Sequence, residues 1–190
     1  MSRARPRLAI AGISHETNTF SSLRTGMDDF RVRRGPEILD DGLYQSFPDI
    51  RGITHTHSAY AVAWSQSLLP VPIFGTTHAD HLAQDIPCTE VMSDEMIDGD
   101  YEEQTGKQII DTFKSLSYKE VEMVLVACHG PFTWGNSAEK SLYNSAVLEE
   151  IAKMALLTKQ INPQTAPLKK ALRNKHYQRK HGKNAYYGQN

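Results

Sequence analysis

VEMVLVACHGP, residues 121–131, is the passage whose reading decides the fold. Val121 to Cys128 is apolar and rich in β-branched residues, the signature of a buried strand, and it runs straight into His129-Gly130-Pro131. Upstream, Ile109, Ile110, Phe113 and Leu116 recur at helical spacing, which predicts an amphipathic helix starting near Tyr101. Downstream, 136–160 has the longest helix pattern in the chain. Its buried face is read as Val147, Leu148, Ile151, Ala152, Met154 and Ala155, and Asn162-Pro163 ends it. Further back, RGITHTH (51–57) alternates as a strand does, and Ser58 is placed to cap a helix through about Ser67, stopping before Pro70. VPIF (71–74) reads as a brief strand closed by Gly75, and RLAIAGI (7–13) as another, followed by the polar loop SHETNTFSS. Residues 21–41 are charged and broken at Gly35-Pro36, as a surface helix and linker would be. Strands mixed with helices make the class α/β (α+β).

At 190 residues and 21.4 kDa the chain is large enough for one compact domain that needs neither disulfide nor metal to fold. The content of 39% hydrophobic and 23% charged residues excludes wholesale disorder. No apolar run approaches the roughly 20 residues that span a bilayer, and Leu8 to Ile13 is too short for a secretory core. Cys88 and Cys128 form no disulfide framework, so a cytoplasmic location is expected. The net charge of −1 conceals a basic tail of seven Lys and Arg, with no acid, between Leu168 and Asn190. It lacks the repeats of RNA-binding segments, so neither nucleic acid nor membrane is expected as a partner.

The chemistry centres on His55-Thr56-His57. On a strand, residues i and i+2 project to one side, where one cation can bridge both rings. Alone, such a pair is common without a metal. His129, at the end of the buried strand and followed by Gly130, raises its meaning, because three neutral imidazoles with an open fourth position are the usual ligands of a catalytic zinc. Asp80 fits a cap for a helix beginning near His81 as well as it fits catalysis, with His78 and His81 beside it. Glu102 suits a helix start whatever else it does. Cys128 reads as inert packing on a buried strand, and Trp134 as a core or rim aromatic.

Long passages carry a family resemblance: GITHTHSAYAVAWSQ (52–66), FGTTHADHLAQDIPCT (74–89), GDYEEQTGKQIIDTF (99–113), HGPFTWGNSAEKSLYNSAVLEE (129–150) and KHYQRKHGKNAYYGQ (175–189). They resemble the class II aldolase family, most closely its L-ribulose-5-phosphate 4-epimerase branch, from about residue 43 onward. The resemblance implies a class II aldolase-like three-layer sheet with flanking helices. It implies a divalent metal, usually Zn2+, held by His55, His57 and His129. It also implies a retro-aldol cleavage between C3 and C4 of a phosphorylated sugar, followed by re-addition on the other face of the aldehyde. Asp80 and Tyr187 match the acid–base pair, the tyrosine reaching in from a neighbouring subunit of a homotetramer. Thr76, Glu102, His176 and Arg179 match substrate-binding positions, the last two also reaching across the interface. On this reading the basic tail meets a sugar phosphate. A related sugar-phosphate aldolase and a non-catalytic fusion or remnant stand as alternatives.

Residues 7–39, with RLAIAGISHETNTFSS and DDFRVRRGPEIL, resemble instead the opening of microcystinase C-like metallopeptidases, where Glu16 would match a zinc-site glutamate. The expected organisation is therefore a segment at 1–41 joined to an incomplete epimerase-like domain at 42–190. The strands, phosphate-cradling loops and lysine of the family's N-terminal portion are not found in 1–41. Weakened phosphate binding is the expected cost.

Overall fold

The computed structural model describes residues 37–183 and residue 185. Its elements in order are α1 (Glu37–Ser46), β1 (Gly52–His55), α2 (Ala59–Gln66), α3 (Thr76–His81), α4 (Asp94–Asp98), α5 (Tyr101–Thr112), β2 (Met123–Val126), β3 (Gly130–Gly135), α6 (Ala138–Ile161) and α7 (Lys170–His181). The expected strand at 7–13, its loop with Glu16, and Tyr187 lie outside the described residues. The expected junction after residue 41 falls inside α1, which runs through it unbroken.

β1, β3 and β2 form one antiparallel sheet in that order, with Ile53 opposite Trp134 and Val124 opposite Phe132. All four residues of β2 are buried because alternate side chains serve two cores. Val124 and Val126 join Ile53, Phe132 and Trp134 against Leu43 and Phe47 of the α1 region and Ile109 and Phe113 of the α5 region. Met123 and Leu125 point the other way, into Ala61 and Trp64 of α2 and Leu148, Ile151 and Ala152 of α6. Helices, sheet and helices therefore make three layers, as expected.

β3 was not anticipated, since the apolar run stops at His129-Gly130-Pro131. Proline lacks the N–H a central strand needs, but here it lies near the strand's start, and Phe132, Thr133 and Trp134 supply β-forming side chains behind it. The expected strand at 71–74 reduces to a single bridge, Val71 with Ile86. Pro70 and Pro72 flank Val71 and deny the ladder two donors. Met154 is not buried as expected but 39% exposed, on the outward side of α6.

Ser58 does stand at the N-cap of α2, yet its side chain makes no capping bond. Glu149 of α6 takes the role, one carboxylate oxygen accepting from the Tyr60 amide at 2.9 Å and the other from the Ala61 amide at 2.9 Å. A carboxylate at a helix start also meets the positive end of the helix dipole. Glu149→Ala should therefore lower unfolding free energy by about 1–2 kcal/mol, read as a lower urea midpoint with an unchanged slope.

Candidate metal centre

Sheet register delivers three imidazoles to one place. His55 closes β1 and pairs with Phe132, while Val126 pairs with Gly130, so the turn at 127–129 emerges beside the end of β1. One ligand nitrogen from each of His55, His57 and His129 lies within 4.8 Å of the others. The ring centroids are 4.7–5.2 Å apart. His55 and His57 face each other through Nε2 atoms 3.0 Å apart. His55 Nδ1 donates to the Pro131 carbonyl at 2.9 Å, which leaves its Nε2 lone pair directed at the shared space. Phe132 stacks on the His55 ring at 4.2 Å. Gly130 permits this crowding: a Cβ there would stand 3.0 Å from the Thr56 carbonyl and 3.5 Å from His55 Cε1.

Electrostatics favours free lone pairs. Burial pushes His55 down to about 4, partly opposed by its bond to Pro131 and reinforced by the charges of His129 and His57. Burial, then His57, also lowers His129. The site is half-buried at His55 and His129 and exposed at His57, which leaves one side open to solvent. This donor set fits a borderline-soft divalent cation such as zinc, which takes three protein nitrogens and keeps a position for water or substrate.

The turn carrying His129 is held from several sides. The Ala127 amide donates to Thr89 Oγ1 at 3.0 Å, and the Cys128 amide to the Ser65 carbonyl at 3.1 Å. Cys128 itself adopts φ 60°, a left-handed conformation, and its side chain is exposed, not packed on a strand as expected. Cys88 is the half-buried thiol, raised to about 11 by burial first and then by Cys128 and Glu90, which makes it a poor nucleophile. Tyr101, the first residue of α5, brings its hydroxyl to 3.3 Å from His129 Nδ1.

A second cluster forms around Asp80. Asp80 lies near the end of α3, whose N-cap is Gly75, so of its two open readings the capping one does not hold. Its Oδ1 accepts from His176 Nδ1 at 2.9 Å and Arg179 Nη2 at 3.0 Å, and Oδ2 accepts from the same Arg179 nitrogen at 3.1 Å. Lys180 Nζ stands 3.8 Å from Oδ2, and His181 Nε2 bonds the Asp80 carbonyl at 2.9 Å. Burial raises the Asp80 carboxyl, but His176, Arg179 and Lys180 together outweigh it and hold the group below its ordinary value.

The class II aldolase and adducin N-terminal domain matches residues 42–156. The chain is 48% identical over 185 residues to an L-ribulose-5-phosphate 4-epimerase UlaF of Salmonella paratyphi C, covering 94% of the chain and 81% of that relative. The chain belongs to the class II aldolase family. A further UlaF, from Salmonella paratyphi B, is 47% identical over 147 residues, covering 77% of the chain and 64% of that protein. Among solved structures, an L-fuculose 1-phosphate aldolase superposes with a TM-score of 0.59 at 19% identity, over 77% of this chain and 65% of that one. The L-fuculose 1-phosphate aldolase from Glaciozyma antarctica PI12 gives 0.56 at 17% identity, over 74% and 48%. Class II aldolase architecture is thus shared even where the sequences have diverged.

Against that architecture, the sequence-derived residues sort into groups. His55, His57 and His129 converge, and Asp80, His176 and Arg179 converge in the second cluster. Thr76 opens α3, four residues before Asp80, and is half-buried. Glu102 is exposed beside Tyr101 in the first turn of α5. Sequence reasoning missed Tyr101, Phe132 and Glu149 as supports. For Tyr101 the available signal was its place directly before Glu102 in GDYEEQTG (99–106).

Two outcomes test this description. Cys128→Gly should be neutral or stabilising by about 1 kcal/mol, because glycine adopts a left-handed φ without penalty, whereas Cys128→Val should destabilise by more than about 1 kcal/mol. Urea unfolding of both variants measures it. A depressed folded-state carboxyl stabilises fully above the unfolded value near ~4 and loses that contribution as pH falls through the folded value. Wild type should therefore exceed Asp80→Asn in stability at pH 6 and converge with it in strong acid; a constant difference down to pH 2 would contradict this.

Proposed function

We propose that this chain is a zinc-dependent L-ribulose-5-phosphate 4-epimerase, inverting C4 of a pentulose phosphate by breaking and remaking the C3–C4 bond. The convergence of His55, His57 and His129 at the open end of the sheet carries the reading, and the name and identity of the Salmonella relatives support it. A divalent cation held by these three nitrogens supplies Lewis acidity where negative charge develops on substrate oxygens. The chain's own groups do the rest. His55 Nδ1, fastened to Pro131, keeps its ring from turning away. Asp80, kept anionic by His176 and Arg179, accepts the proton of the C4 hydroxyl as the C3–C4 bond breaks and its electron pair passes to the three-carbon fragment. Tyr187 returns a proton to the C4 oxygen when the two-carbon aldehyde has turned and the bond re-forms on the other face. Thr76, Glu102, His176 and Arg179 contact the substrate, and the cationic surface of α7 suits its phosphate.

The reading takes a homotetramer in which Tyr187 reaches in from a neighbouring copy. Residues 42–190 form the catalytic unit in this proposal, with 1–41 a separate segment. The 94% pairing leaves 6% of the chain unmatched and so extends into 1–41.

His55→Ala should abolish zinc uptake, about one ion per subunit in wild type, by metal analysis after gel filtration. Asp80→Asn should retain zinc yet lose about 10²- to 10⁴-fold in kcat. NMR of L-ribulose 5-phosphate with zinc-loaded protein should show its C4 epimer. Two released fragments would instead make the chain an aldolase, and unchanged substrate would make it a non-catalytic member.

A further inference from the structure

An imidazole can bind a cation through either ring nitrogen, and the choice is set by what the other nitrogen meets. For His55 that partner is the Pro131 carbonyl, inside the same sheet. His129 sits on a turn, after a residue of left-handed backbone, and the strands meet its ring through edge contacts with His55 and Phe132, at 4.7 and 6.1 Å between centroids, and not through a hydrogen bond. The group at its Nδ1 is the Tyr101 hydroxyl, 3.3 Å away, with the two rings 6.1 Å apart. We propose that Tyr101 is a positioning residue of the metal centre: its hydroxyl engages Nδ1 of His129 and commits that ring to present Nε2 to the cation. The inference rests on the metal-centre reading above and extends it to a residue of α5.

The placement of Tyr101 suits this role. Its backbone opens α5, where Asp100 Oδ1 caps the Glu103 amide at 3.1 Å and the Thr105 hydroxyl donates to the Tyr101 carbonyl at 2.8 Å. Ile109, two turns on, is fully buried against the sheet and ties the helix to the strands that carry the histidines. The hydroxyl is thus borne by a rigid element and not by a loop. Tyr101 is 42% exposed, so losing one oxygen atom from it leaves the core packing untouched. With Nε2 on a cation, Nδ1 carries the proton and donates it to the tyrosine oxygen. His55 and His129 then share one plan, each tethered through Nδ1.

Outer partners of ligating histidines typically govern metal affinity by 10–100-fold. For a bond of 3.3 Å, Tyr101→Phe should weaken cobalt or zinc affinity about tenfold in chelator competition. The thermal midpoint of the metal-free protein should not move. Side-chain ¹⁵N spectra of the zinc-loaded wild type should show His129 protonated at Nδ1 and metal-bound at Nε2. In Tyr101→Phe the Nδ1 proton should exchange faster with solvent. Equal affinity in the two proteins, or a wild-type His129 bound through Nδ1, overturns the inference while leaving the metal centre standing. A wild type that takes up no cobalt or zinc overturns the metal centre and the inference with it.

Discussion

β3 pairs with both of its neighbours at once, and the rest of the molecule depends on that double pairing. Its register against β1 sets His55 beside Phe132, and its register against β2 sets Val126 beside Gly130. These alignments bring residues separated by more than seventy positions within reach of a single ion. They also give both faces of β2 a core to fill, so the apolar run that makes this strand conspicuous is the same feature that fixes the metal-site turn at its end. Non-local pairing of this kind is costly in loop-closure entropy, and burial of Trp134, Ile53 and Val124 offsets it.

The parts legible in sequence were those governed by local periodicity. α5 and α6 begin where Asp100 and Ser137 cap them, and β2 lies inside the apolar run that announces it. The three-histidine convergence was legible although only His55 lies on the strand: β1 ends there, and His57 stands two residues beyond it, still near enough to share an ion. β3 was hidden because glycine and proline at its start look like punctuation, and only tertiary pairing reveals Phe132, Thr133 and Trp134 as strand residues. The cap of α2 was hidden for a related reason. Ser58 is the local candidate, but Glu149, just over ninety residues later, reaches the same amides. Of the two readings open for Asp80, the cap fails because α3 starts earlier than its sequence suggests, at Thr76.

Two charge regimes coexist on this small scaffold. Around His55 and His129 burial dominates and keeps the rings neutral, the state a metal ligand requires. Around Asp80, donors from α7 dominate and keep the carboxylate ionised despite its partial burial. α7 is basic and has no buried residue of its own, so its attachment to α3 is mainly polar. The salt dependence of that attachment should exceed anything seen in the sheet, where dry apolar contacts hold the layers together.

The period of two along β1 has an evolutionary corollary. Inserting or deleting a single residue within 52–57 would turn His55 to the opposite surface of the sheet or displace His57, two residues past its end, whereas substitution of their neighbours alters only packing. Length variation among descendants of this chain should therefore be purged from that hexapeptide and accumulate in the connection at 162–169, between α6 and α7, where no strand register is at stake.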